Sequence, residues 1–192
     1  MARIVSKTLL HSGWSRLYRA SLELDDGARV EREIEDHGAA VAVLPFDPER
    51  RTALLVRQLR NGPLLAGAHE PRLLEAPAGL VDPGEDEETA VRRETLEEVG
   101  ATLDSLTRVV DAFSMPGAST ECLALFVGAY SQAGRVGAGG GLASEHEAIE
   151  VVELPLAELA RLADAGQLND LKTLMLTLYL RVHRPELFAP PA

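Results

Sequence analysis

Through the first 36 residues polar and apolar positions alternate as they do in strands, over Ile4 to Leu10, Trp14 to Leu24 and Val30 to Asp36, with a turn at Asp25-Asp26-Gly27. So small a group of strands is marginal alone and is expected to dock on the rest of the chain or on a second subunit. Ala39 to Phe46 and Thr52 to Leu59 are nearly continuous apolar runs joined by Asp47-Pro48-Glu49-Arg50, and they predict paired, largely buried strands. Gly and Pro make Asn61 to Pro71 a loop, and Leu73 to Ala78 a short strand after it. The period then changes: Glu87 to Val99 predicts a helix, entered through Asp82, Pro83 and Gly84 and stopped by Gly100. Strands follow at Thr107 to Phe113, Glu121 to Tyr130 and Ile149 to Leu154. Helices follow at Leu156 to Ala165 and Asp170 to Arg184, the last capped by Asn169 or Asp170. Between Gly134 and Ser144 lies a run so rich in glycine that it is expected to hold no fixed conformation without a ligand. The order of elements predicts an α+β fold, a mixed sheet in an α/β/α sandwich. Residues 1–36 form an N-terminal antiparallel strand extension, and 37–192 the main domain.

One helix carries a pattern that stability alone does not explain. At about 100° per residue, Glu94, Glu97 and Glu98 share an arc of about 100°, while Val91, Thr95, Leu96 and Val99 fall on the other side. Like charges at i,i+4 cost about 0.2–0.5 kcal/mol, and acids in the last turns oppose the helix dipole. Arg93 can neutralise Glu97 at i,i+4, which leaves Glu94 and Glu98 in need of a cation. Oxygen donors of this kind suit a hard divalent ion such as Mg²⁺ or Mn²⁺, although an ordinary solvated acidic face has the same composition.

Composition narrows the setting. The 192 residues suffice for one cored domain; 46% are hydrophobic and 26% charged, as in ordinary globular proteins. A formal net charge of −11 argues against nucleic acid or an anionic membrane as the main partner. The first ten residues lack a signal-peptide core, and no apolar run of about 18 residues is present, so a cytoplasmic location is expected. Cys122, alone in the apolar run CLALFV, reads as a small core residue, and the five histidines, without ligand spacing, as surface or loop residues.

The stretch Gly79, five residues, Glu85, seven residues, then Arg93-Glu94-Thr95-Leu96-Glu97-Glu98-Val99-Gly100-Ala101 resembles the Nudix box of the Nudix hydrolases. Thr95 and Ala101 depart from the pattern at packing positions only. Val56-Arg57-Gln58-Leu59-Arg60, Glu75-Ala76-Pro77-Ala78-Gly79-Leu80 and the Met115-Pro116-Gly117 run ending at Glu121 resemble the branch that hydrolyses nucleoside diphosphate sugars. The glycine run with Glu145, Glu147 and Glu150, together with Asn169 to Thr173, is most similar to its GDP-mannose group.

What this resemblance implies is specific. The fold is the Nudix fold, and the reaction is divalent-metal-dependent attack of water on a diphosphate: GDP-mannose to GMP and mannose 1-phosphate, with ADP-ribose as the alternative substrate. Mg²⁺ is the implied cofactor, with Mn²⁺ as a substitute. Glu94, Glu98 and the Ala78 carbonyl are implied metal ligands, Glu97 a ligand or a partner of one, Arg93 the residue that orients them, and Glu85 a neighbour of the metal. Glu145 is the implied base and Glu147 a further metal ligand, with the reverse assignment open. Arg32, Glu33, Arg57, Arg60, Glu121 and Lys172 are implied substrate contacts, Arg32 and Glu33 through exchanged N-terminal strands in a homodimer. Glu31 and Ala148 depart from the GDP-mannose group, where a base and an acid are common. A ligand sensor of the same fold that no longer turned over substrate would be expected to have lost the box acids, and Glu94, Glu97 and Glu98 are all present.

Overall fold

The computed structural model describes residues 1–142 and 148–189, and the chain divides into two compact units. The first holds residues 1–40 and 111–123, the second 41–110 and 124–192.

In the first unit β1 (Arg3–Ser12), β2 (Arg16–Glu23) and β3 (Arg29–Asp36) form an antiparallel sheet in that order. The register of β2 on β3 is regular, whereas β1 shifts register on β2 between Ile4 and Ser6 and between Leu9 and His11. Ala20 is the one strand residue of this sheet that is fully buried. Along β1 every residue is exposed, including Ile4, Val5, Leu9 and Leu10.

A seven-stranded mixed sheet organises the second unit. Its path is β10 (Glu150–Pro155), β5 (Thr52–Leu59), β4 (Ala40–Asp47), β9 (Cys122–Ala129) and β8 (Ser105–Phe113), with β6 (Arg72–Glu75) beside β5 and β7 (Ala78–Leu80) beside β4. β4 is buried from end to end, as its unbroken apolar run requires. Val41, Val43, Leu54 and Val56 meet Ala90, Val91 and Val99 of α2 (Glu87–Val99) in one core with Leu103, Ala124, Phe126 and Tyr130. The strand residues of opposite parity, Leu44 and Leu55, are buried as well, and α3 (Leu156–Asp164) packs on β5 and β10 with α4 (Leu171–His183) beside it. Burying about 100 Å² of each such leucine removes roughly 2.5 kcal/mol of apolar exposure.

Three local expectations change. Residues 61–71 contain a one-turn helix, α1 (Asn61–Leu65), because Pro63 sits in a first turn where its missing N–H costs no bond. The strand expected over Leu73 to Ala78 is two strands. Pro77 has no N–H for a ladder, and the Ala76 N–H donates instead to Thr173 Oγ1 at 2.6 Å. In the glycine run, expected to hold no fixed conformation of its own, the peptide groups of Gly137, Gly140 and Gly141 are bonded to the end of α2. Among the described residues no helix is long and apolar enough to cross a membrane.

Candidate active site

The end of α2 that carries the acids is held from both directions. Asp86 caps its start by accepting from the Thr89 N–H at 2.9 Å, and Glu87 and Glu88 in the first turn suit the positive end of the dipole. Gly100 closes it in the left-handed conformation, φ 66°, its N–H donating to the Leu96 carbonyl. Within the helix Thr95 is fully buried, and its hydroxyl donates to the Val91 carbonyl at 2.6 Å, which satisfies the polar atom that the departure from an aliphatic residue introduces. The packed face is not the one the helical wheel assigns. Glu98, 3% exposed, points inward with Thr95 and Val99, and Leu96, 45% exposed, points out.

Arg93 is the hub of the acidic face. Its Nε and one terminal nitrogen donate to the two oxygens of Glu85 at 3.1 and 3.0 Å, and the second also donates to the Leu80 carbonyl at 3.1 Å. The other terminal nitrogen donates to Glu94 at 2.7 Å and Glu97 at 3.2 Å. Such forked pairing is stronger than a point-charge contact. The bond to Glu85 raises the Arg93 pKa further above its ordinary value, and Arg93 in turn holds Glu85 below the usual carboxylate range. The Ala78 N–H donates to Glu98 Oε2 at 3.0 Å. A Cβ at Gly79 would stand 2.0 Å from Glu94 Oε1, so the Glu94 carboxylate can lie there only because residue 79 has no side chain.

The donors expected to hold a divalent cation are thus gathered on one short path: the peptide of Ala78, Glu98 against it, and Glu94 against Gly79. All are hard oxygens, the chemistry Mg²⁺ and Mn²⁺ take, and the set fits such an ion. Among the described residues no three His, Cys, Asp or Glu side chains converge as they would around a bound metal, and Arg93 holds Glu94 and Glu97 instead. Glu145 and Glu147 lie outside the described residues.

A second cluster in the same unit joins residues that no sequence spacing links. Glu75, 1% exposed, receives both nitrogens of an Arg60 fork at 2.6 and 2.8 Å and a bond from Lys172, which also donates to Asp170 at 2.9 Å. Asp170 caps α4, accepting from the Thr173 N–H at 2.9 Å. Burial pushes the Glu75 carboxyl up, but the bond from Arg60 and the charge of Lys172 outweigh it and hold the group below its ordinary value. Arg60 and Lys172, expected at the substrate, therefore direct their charges at this buried acid. Arg57 is exposed on β5 and has no ion-pair partner among the described residues.

The other expected substrate contacts belong to the first unit. Arg32 is exposed on β3 and donates to the Glu31 carbonyl at 2.8 Å, while Glu33, also exposed, lies 3.6 Å from Arg19. Glu121 is bonded to His37 Nε2 at 2.9 Å. His37 is thereby no plain surface histidine: Nδ1 meets Glu35 at 2.6 Å, and Trp14 stacks on the ring at 4.9 Å. Burial would lower the His37 pKa, and the bonds to Glu121 and Glu35 overcome this and raise it. No spacing signal marks His37, because its partners lie two and 84 residues away in the chain.

Comparison with known proteins identifies the family. The NUDIX domain matches residues 36–175. Relatives include a GDP-mannose pyrophosphatase of Klebsiella pneumoniae subsp. pneumoniae, 34% identical over 93% of this chain and 90% of the relative. Another, of Yersinia enterocolitica serotype O:8 / biotype 1B, is 34% identical over 93% and 94%. A crystal structure of an ADP compounds hydrolase shares the fold, with a TM-score of 0.77 and 22% identity over 96% of this chain and 95% of that one. With the box residues gathered on α2 and the domain match spanning most of its length, the chain belongs to the Nudix family.

Proposed function

We propose that this protein hydrolyses the pyrophosphate bond of a nucleoside diphosphate sugar, with GDP-mannose as substrate and GMP and mannose 1-phosphate as products. The observation that carries the reading is the gathering of hard oxygen donors on one path, Glu98 against the Ala78 peptide and Glu94 against Gly79, with Arg93 holding Glu85, Glu94 and Glu97. The GDP-mannose pyrophosphatases among its relatives support the substrate. Nudix hydrolases generally require a divalent ion; here Glu94, Glu98 and the Ala78 carbonyl would hold Mg²⁺. A divalent ion in such a site neutralises diphosphate oxygens and lowers the pKa of a bound water.

The chain's own residues prepare that chemistry. Arg93 fixes the rotamers of Glu85, Glu94 and Glu97 through its planar fork, and the Ala78 N–H fixes Glu98. Glu145 would take the proton of the attacking water and Glu147 would add a metal ligand, or the two would exchange roles. Arg57, exposed on β5, would offer its guanidinium to phosphate or ribose. Arg32, Glu33 and Glu121 would meet the nucleotide, and Arg60 and Lys172 would add positive potential while they remain bonded to Glu75. A homodimer with exchanged N-terminal strands is part of the reading, supported by the ten-residue, wholly exposed strand β1. Light scattering should give a dimer at micromolar concentration; a fully active monomer would contradict it.

The test is turnover of GDP-mannose and ADP-ribose side by side with Mg²⁺. Preference for GDP-mannose supports the proposal, preference for ADP-ribose moves the enzyme within the same reaction class, and inactivity on both contradicts it.

A further inference from the structure

The last four carbonyls of an α-helix have no partner inside it, and they carry the negative end of its dipole. In α2 this end bears Glu97 and Glu98, and no basic residue lies in the last turn. The missing donors come from residues 136–141. The N–H groups of Val136 and Gly137 donate to the Gly100 carbonyl at 2.9 and 3.0 Å, Gly140 to that of Glu98 at 2.9 Å, and Gly141 to that of Glu97 at 3.1 Å. The two segments touch backbone to backbone. A Cβ at Gly139, where φ is 68°, would lie 2.4 Å from the Glu98 carbonyl oxygen and 2.7 Å from the Val99 Cα. A Cβ at Gly100 would lie 2.2 Å from the Gly137 oxygen.

Glu98 is consequently held at both ends, its carbonyl by Gly140 and its carboxylate by the Ala78 N–H. We propose that residues 136–141 are a positioning segment for the glutamates of α2, so that the affinity of the site for a divalent cation depends on this glycine run. The peptide donors to the Glu97 and Glu98 carbonyls and the close contact at Gly139 fix the backbone from which both side chains project. The inference rests on the reading that these glutamates hold the ion, and it concerns how they are held.

The experiment is Mn²⁺ binding to the full-length protein, followed by the electron paramagnetic resonance of the free ion, with near-ultraviolet circular dichroism to establish folding. Gly139→Ala should bind Mn²⁺ about tenfold more weakly, the size of loss usual when a residue orienting a ligand is changed. Gly140→Ala should show a smaller loss. Its Cβ would have room, with the nearest atom 3.8 Å away, but at φ 107° an L side chain strains the peptide that donates to Glu98. Gly62→Ala, where nothing lies within 4 Å, should bind as the unaltered protein does. At saturating Mn²⁺ the deficit of the two variants should lie in kcat and leave KM for substrate nearly unchanged. If Gly139→Ala fails to fold, Gly140→Ala decides. Folded variants with unaltered Mn²⁺ affinity, or an equal loss in Gly62→Ala, would overturn the proposal. Glu98→Gln in the same titration separates the two claims: its loss of affinity with the glycine variants unaffected retains the metal reading and rejects the positioning role. Unaltered binding by Glu98→Gln rejects the metal reading itself.

Discussion

Around Glu75 two cations meet two acids, Arg60 and Lys172 against Glu75 and Asp170, and every charge has an opposite within bonding distance. Around Arg93 a single guanidinium meets Glu85, Glu94 and Glu97, with Asp82 3.9 Å away. Both clusters use Arg forks on carboxylates, and both lie in the second unit. The first is complete as it stands and joins Arg60, just after β5, to β6 and α4, as a structural tie does. In the second, one fork orients several carboxylates at once, among them Glu94, which is proposed to take a cation. What the fork holds thus separates the group that ties the fold from the group proposed to do chemistry.

The comparison can be broken by removing one acid from each side. Glu75→Gln leaves two cations facing one acid, and breaking a buried pair costs about 3 kcal/mol here, the low end of the usual range because Arg60 keeps access to water. Urea unfolding measures it, and Mn²⁺ affinity should be spared. Because the native Glu75 pKa lies below its unfolded value of about 4.3, its contribution is full above that pH and fades as pH falls through the native value. Glu75→Gln should flatten that acid limb. Glu98→Gln should do the opposite: kcat falls by about two orders of magnitude or more, with the melting temperature nearly kept, since the shape and the acceptor for the Ala78 N–H remain. Normal turnover would remove Glu98 from the site. Arg93→Lys keeps the charge and loses the fork, and kcat should fall by about 10–100-fold. The smallest effect lies in the first unit. His37 has a raised pKa, so its contribution to stability is full below about pH 6.5 and is lost as pH rises through the higher native value. A ring-proton titration by nuclear magnetic resonance should place that value above 6.5, and His37→Gln should remove the slope.

The parts of the fold legible in the sequence are those that local chemistry specifies. The turn at Asp82-Pro83-Gly84 and the stop at Gly100 bound α2 where the structure has it, and the apolar run Ala39 to Phe46 reads as the buried strand β4. The Asp170 cap of α4 was also within reach, because a cap bonds to its own next turn. What the pattern hides depends on partners distant in the chain. A helical wheel puts Glu94, Glu97 and Glu98 in one arc but cannot say that the sheet takes Glu98 inward and leaves Leu96 outside. Glycine content describes the freedom of residues 137–141, and it says nothing of the helix carbonyls of Glu97, Glu98 and Gly100, earlier in the chain, to which this run donates. Glu75 reads as the end of a strand until Lys172, 97 residues on, closes over it.

The acids of α2 are proposed to take a divalent cation against a diphosphate. Crystals soaked in Mn²⁺ and measured at the manganese edge test it most directly. The account predicts an anomalous peak bounded by Glu94, Glu98 and the Ala78 carbonyl, with Arg93 still bonded to Glu85. No peak there at millimolar Mn²⁺, in an enzyme that turns over its substrate, would contradict it.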